Sequence, residues 1–212
     1  MSVTVKICGL TRAEDVDAAV GAGAGMVGFV FFPPSPRAVT PEAAADLASR
    51  VPEGVLKVAL SVDADDATLG AIVDRVKLDI LQLHGKEPPE RVIEVKKRFG
   101  LPVMKAVPIA GPEDVGNARA YESAVDRLMF DAKPPKGATR PGGNALAFDW
   151  NLIADEKWEK PWVLAGGLTP ENVAEAIRVS GATAVDVSTG VEDAPGLKSA
   201  AKIRDFIAAA KG

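Results

Sequence analysis

Eight times in succession the chain runs through a short β-rich stretch, a loop and then a helical pattern, several of them alanine-rich. The stretches start near Val3, Met26, Val55, Asp79, Pro102, Asp126, Pro161 and Thr183. Helical patterns follow near Arg12, Pro41, Asp65, Pro89, Pro112, Phe148, Pro170 and Leu197. Successive strand starts fall roughly 22 to 35 residues apart, which is one strand, one helix and two loops. Thr40-Pro41-Glu42 and Thr169-Pro170-Glu171 each read as an N-cap threonine, a proline at N1 and an acid at the positive end of the helix dipole. Thr11 with Glu14 reads as a capping box for the first helix. Eight such units in 212 residues are what a closed (β/α)8 barrel requires, and a single barrel domain over residues 1–212 is expected. The competing fold, a doubly wound open sheet, lacks its signal: Cys8-Gly9-Leu10-Thr11 follows the first strand where a Gly-x-Gly-x-x-Gly would stand.

Composition narrows the function classes. The chain is 47% hydrophobic and 25% charged, a globular balance that buries a sizeable core. A net charge of −4 argues against a nucleic-acid or anionic-membrane partner. One cysteine excludes an internal disulfide, and one cysteine with one histidine excludes a zinc site of ordinary type. With no signal-peptide core and no membrane span, a cytoplasmic location is expected.

In such a barrel the chemistry gathers at the C-terminal strand ends. These are Cys8, then Gln82 and His84, then Asp131, with Ala165-Gly166-Gly167-Leu168 and Asp186-Val187-Ser188-Thr189-Gly190 closing the last two strands. Strand alternation puts Leu128 and Phe130 toward the helices, so Asp131 points inward. The same parity sends Cys8, Gln82, His84, Asp186 and Ser188 inward, and a thiol and a carboxyl flanking one ligand from opposite sides suit acid–base chemistry. Each residue also has a plainer reading. A free cysteine is commonly a small buried hydrophobe, Asp131 could be a strand stop, and His84 and Gln82 could be satisfied wall residues. Lys6, one layer below Cys8, is expected to pair with Asp186 when the barrel closes.

Three glycine segments sit on that face: Gly166-Gly167, Ser188-Thr189-Gly190, and Arg140-Pro141-Gly142-Gly143-Asn144. Together they point to backbone N–H groups aimed at a phosphorylated small molecule. Gly21 to Gly25 joins a helix to a strand, on the opposite face.

Across essentially its whole length the chain resembles the phosphoribosylanthranilate isomerases. The resemblance rests on Lys6-Ile7-Cys8-Gly9-Leu10-Thr11, Gly28-Phe29-Val30-Phe31 with Ser35-Pro36-Arg37, Leu81-Gln82-Leu83-His84-Gly85 and Phe130-Asp131. It continues through Gly142-Gly143, Phe148-Asp149-Trp150, Leu164-Ala165-Gly166-Gly167-Leu168 and Val185-Asp186-Val187-Ser188-Thr189-Gly190-Val191-Glu192. It implies an Amadori rearrangement of N-(5-phosphoribosyl)anthranilate in tryptophan biosynthesis, with no cofactor and no metal. Asp131 is then the acid and Cys8 the base, and Arg37, Gln82, His84 and Asp186 contact the substrate. Gly142, Gly143, Asn144, Gly166, Gly167, Ser188, Thr189 and Gly190 hold its phosphate. Arg37 would take the anthranilate carboxylate in a two-bond fork. Cys8 calls for electropositive surroundings, and Asp131 must keep a proton. A monomer or homodimer is expected.

Two positions depart from the family pattern. Asn144-Ala145 replaces Thr-Gly, and Ala38 stands where an aromatic is usual, which would loosen the second loop. Two alternative readings remain. A sister enzyme such as indole-glycerol-phosphate synthase would need inward lysine and glutamate acids, and a sugar-phosphate epimerase would share the phosphate loops. A non-enzymatic metabolite-binding barrel would show the loss of Cys8 or Asp131, and both are present.

Overall fold

Eight parallel strands close on themselves in chain order, each followed by a helix. A computed structural model describes residues 3–134, 137, 141–143 and 146–212; Asn144, Ala145 and Arg140 lie outside the described residues. The units are β1 (Thr4–Cys8) and α1 (Ala13–Gly21), β2 (Met26–Phe31) and α2 (Pro41–Ala48), β3 (Leu56–Ser61) and α3 (Asp66–Arg75), β4 (Ile80–Leu83) and α4 (Pro89–Phe99). They continue as β5 (Val103–Ile109) and α5 (Pro112–Ala118), β6 (Arg127–Ala132) and α6 (Asn151–Ala154), β7 (Trp162–Leu164) and α7 (Val173–Ser180), and β8 (Ala184–Val187). A small hairpin, β9 (Glu192–Ala194) and β10 (Leu197–Lys198), precedes α8 (Ala200–Lys211). The expected strand starts each fall within a residue of the observed ones.

Strand alternation divides the core in two. Val5, Ile7, Val27, Phe29, Leu128 and Phe130 face the helices in the larger cluster. Met26, Val58, Ile80, Met104, Met129, Val163 and Ala184 fill the barrel interior. Closure brings β1 against β8 with Lys6 opposite Asp186, and β1 against β2 with Cys8 opposite Gly28. Around the ring β1 and β6 are three steps apart through β8 and β7, so Cys8 and Asp131 face each other obliquely rather than from diametrically opposite sides.

Helix starts agree with the cap readings in part. The Thr40 hydroxyl accepts from Ala43 N ahead of Pro41, and Asp65 caps α3 by accepting from Thr68 N. Thr11 does not cap α1: that helix begins at Ala13 behind Arg12, and the Thr11 hydroxyl donates to the Gly196 carbonyl. The reason is tertiary, because the β9–β10 hairpin presses on the first loop, where Arg12 also reaches the Lys198 carbonyl. Likewise Thr169-Pro170-Glu171 forms a turn, and α7 starts three residues later than expected. There the Asn172 amide accepts from Thr169 N at 2.8 Å and donates to the Gly167 carbonyl at 2.9 Å, pinning the loop after β7. Near Ala38 the chain is held by a backbone bond of 3.0 Å from Val39 N to Val30 O.

Candidate active site

The strand ends enclose a cavity of about 440 Å³ whose lining includes Cys8, Arg37, His84, Asp131, Gly143, Gly167 and Thr189. Two kinds of environment meet in it.

On the Cys8 side the walls are ionic. Lys6 is fully buried, and its Nζ donates to Asp186 Oδ1 at 2.7 Å, the pair that strand parity requires. Both Lys6 Nζ and Cys8 Sγ lie 3.1 Å from where a Cβ on Gly28 would stand. The missing side chain of Gly28 is therefore what lets the ammonium and the thiol share one spot beside β2. From β10, buried Lys198 donates to Glu192 Oε1 at 2.8 Å and to the Ser188 carbonyl at 2.9 Å. The Ser188 hydroxyl in turn donates to the Cys8 carbonyl. Burial pushes the Cys8 thiol up, Lys6 and Lys198 pull it down, and Asp186 adds to the upward push; burial prevails. Electropositive surroundings are thus present, as the sequence called for, but in the unliganded site they do not offset desolvation. Lys6 is held above the ordinary lysine range: desolvation opposes its charge, and Asp186 and Cys8 more than compensate.

Arg37 differs from expectation. Its Nε and Nη2 already make a two-bond fork with Glu192, both at 2.7 Å, and Nη2 also reaches Thr189 Oγ1. Among the described residues Nη1 is the one guanidinium nitrogen of Arg37 without a hydrogen-bond partner, so the fork itself is already taken. A buried guanidinium requires a counter-charge of its own, and the hairpin supplies Glu192. Burial raises the Glu192 pKa, but Arg37 and Lys198 hold its carboxyl below the usual carboxylate range.

On the Asp131 side the carboxyl is held by hydrogen bonds. Asp131 Oδ2 lies 3.1 Å from His84 Nε2, and Oδ1 accepts from Ala132 N at 2.9 Å. Gln82 is only 1% exposed, lies outside the cavity lining and contacts His84 and Met129. Expected as a substrate contact, it stands one layer below His84 and against that ring. Asp186 and His84 do reach the cavity.

The glycine segments meet because their backbones approach closely. Thr189 Oγ1 donates to the Gly143 carbonyl at 3.2 Å, joining the loops after β6 and β8. Gly167, at φ +62°, has the backbone of Leu146 and Ala147 about where a side chain would go, 2.5 Å from an ideal Cβ. Gly142 lies over the acid instead, since a Cβ there would be 2.8 Å from both Asp131 Oδ2 and His84 Nε2. Sequence reasoning missed Gly28, Asn172, Glu192, Lys198 and Lys202, the last of which also lines the cavity. Lys198 carried no strand-end signal, because a two-residue strand in a loop has no periodicity to read.

A closed parallel barrel with a thiol, a carboxyl and three glycine loops at one mouth defines a (β/α)8-barrel enzyme with acid–base candidates in place. The model of the N-(5'-phosphoribosyl)anthranilate (PRA) isomerase family matches residues 5–209. N-(5'-phosphoribosyl)anthranilate isomerases of Paramagnetospirillum magneticum and Paracoccus denitrificans are 58% and 61% identical, over 100% and 99% of this chain and 99% and 98% of theirs. The phosphoribosylanthranilate isomerase structure from Thermotoga maritima matches with a TM-score of 0.89 at 39% identity, covering 99% of both chains. A second isomerase structure, in complex with reduced 1-(o-carboxyphenylamino)-1-deoxyribulose 5-phosphate, matches at 0.86 and 38%, again over 99% of both chains. A third, described as monomers of the dimeric Thermotoga maritima isomerase, matches at 0.85 and 38% over the same shares. The chain belongs to the N-(5'-phosphoribosyl)anthranilate isomerase family.

Proposed function

We propose that Cys8 is the base and Asp131 the acid of the reaction this enzyme catalyses, the Amadori rearrangement of N-(5-phosphoribosyl)anthranilate in tryptophan biosynthesis. The observation that carries the assignment is that the sole thiol and an inward carboxyl line one cavity from β1 and β6. Asp131 gives a proton to the ribose ring oxygen as its bond to C1 breaks, leaving a Schiff base. Cys8, acting as the thiolate, takes the C2 proton and becomes the thiol, and the electron pair of the C–H bond forms the enolamine. The enolamine becomes the 1-deoxyribulose product, so C2 is oxidised as C1 is reduced. No net redox change results.

Gly166, Gly167, Ser188, Thr189 and Gly190 present backbone to the substrate's phosphate, with Gly143 bonded to them through Thr189. Arg37 gives its Nη1 to the carboxylate, and Val30, Phe32 and Leu60 offer an apolar wall for the aromatic ring. Gly142 closes over the acid. Residues 1–212 are read as the one domain carrying this site. Among the described residues no helix is long and apolar enough to cross a membrane. A phosphorylated intermediate is held back by membranes, which supports a cytoplasmic location. Whether this chain pairs as the Thermotoga maritima protein does is read by sedimentation.

The test is a pair of variants in single-turnover assays. Cys8→Ser and Asp131→Asn are each expected to fold and to lose about 10²- to 10⁴-fold in kcat, with KM changed far less. Near-parent turnover in either variant overturns the role of that residue.

A further inference from the structure

Gln82 makes two contacts through one nitrogen. Its Nε2 lies 3.0 Å from His84 Nδ1 and 3.3 Å from Met129 Sδ. A thioether sulfur only accepts, so the amide must turn its two N–H groups toward Met129 and the ring. With the amide reversed, its oxygen would face the sulfur as acceptor against acceptor, and only the contact to His84 would remain favourable. The Met129 contact therefore favours this orientation of the amide, which leaves Oε1 as its one buried atom without a hydrogen-bond partner, and the amide in turn orients the ring. Nδ1 must accept, and the one proton of a neutral imidazole lies on Nε2, from which it is donated to Asp131 Oδ2.

This order has a chemical consequence. An imidazolium carries N–H on both nitrogens, and its Nδ1–H would point at the Gln82 donor. An imidazolium–carboxylate pair would therefore set two donors face to face at Nδ1, which disfavours it. The other charged groups near the ring do not supply an alternative acceptor at Nδ1. Asp63 and Lys86 line a neighbouring cavity of about 330 Å³, Asp63 Oδ1 accepts from Lys86 N, and Glu87 is paired with Lys105.

We propose that Gln82 is a positioning residue: by donating to Nδ1 it keeps His84 a neutral Nε2–H donor, so that a proton taken up by the His84–Asp131 pair resides on the carboxyl. A carboxyl has about four lone-pair positions, and the bonds from His84 and Ala132 leave others to carry that proton toward the cavity. The role in turnover rests on Asp131 being the acid; the tautomer does not.

The chain has one histidine, so ¹⁵N NMR of the labelled ring reports this site alone. Recorded above the ordinary imidazole range, the parent is expected to show protonated Nε2 and bare Nδ1. Gln82→Glu places an acceptor at Nδ1. It is expected to draw the ring proton to Nδ1. It is also expected to lower kcat about tenfold or more, with KM little changed, because the proton now stays on the ring. Gln82→Met, which removes the donor at similar size, is expected to give a mixture of tautomers. A parent spectrum with protonated Nδ1 overturns the proposal whether or not any variant folds. So does a folded Gln82→Glu whose ring stays bare at Nδ1, or whose kcat is unchanged at every pH. Full turnover in Asp131→Asn with the Nε2–H tautomer intact defeats the acid assignment instead, and the two failures are told apart by the spectrum.

Discussion

The two halves of the barrel mouth are built on different physics. Around Cys8, three buried cations (Lys6, Arg37, Lys198) face two buried carboxylates (Asp186, Glu192), drawn from β1, β8, the hairpin and the loop after β2. Around Asp131, a line of hydrogen bonds runs from Met129 through Gln82 and His84. The first half carries one positive charge in excess, which a thiolate at Cys8 would balance. The second is short of charge and rich in directional donors. The buried thiol proposed as base is set among charges, whereas the carboxyl proposed as acid is set in a line of directed hydrogen bonds.

The sharpest way to break this contrast is to remove a charge from one half and compare it with a neutralisation in the other. Lys6→Met leaves Asp186 buried without its partner and is expected to cost about 3–5 kcal/mol in urea unfolding. Asp131→Asn keeps shape and hydrogen-bonding capacity, and about 1 kcal/mol is expected. Equal losses would mean that the two halves do not differ.

The next effect tests geometry. Gly142→Ala drives a methyl toward Asp131 Oδ2 and His84 Nε2, and roughly a 10- to 100-fold fall in kcat is expected from the displaced acid. The alkylation profile of Cys8 should not move in that variant. If it does, the halves are coupled through more than the substrate.

A smaller shift belongs to the thiol. In the parent, alkylation of the single cysteine should rise only above the ordinary thiol range, because burial outweighs the cations. Lys198→Met is expected to move that midpoint further up, because one of the cations that lowers it is gone, and Asp131→Asn should leave it in place. The linkage has a definite sign. A raised thiol pKa adds stability that is full below the unfolded value and is lost as pH rises through the folded one.

Glu192 gives the smallest and opposite signal. Its lowered pKa contributes stability that is present above the ordinary glutamate range and lost as pH falls through the native value. Glu192→Gln should therefore flatten the acid limb of stability against pH, read by thermal melts from neutral pH downward. An unchanged limb would remove Glu192 from the ionic half.

Much of this molecule was legible in one dimension. The eightfold alternation of strand and helix marks the barrel, because each period of two or of about 3.6 residues is a local property of the chain. Parity within β1 and β6 aimed Cys8, Lys6 and Asp131 inward for the same reason. Departures began where a residue's partner is distant in sequence. Thr11 carries a cap signature, yet its hydroxyl goes to Gly196, 185 residues away. Arg37 looked available for a ligand until Glu192, 155 residues on, was found in its fork. Gln82 has inward parity, and only the folded barrel shows that it lies one layer below His84 and against that ring. The sequence alone determines which faces the side chains take, because that follows from backbone geometry. Which buried charge or donor meets which is decided only by closure of the barrel and docking of the hairpin, since desolvated polar groups take whatever partner the fold brings within reach.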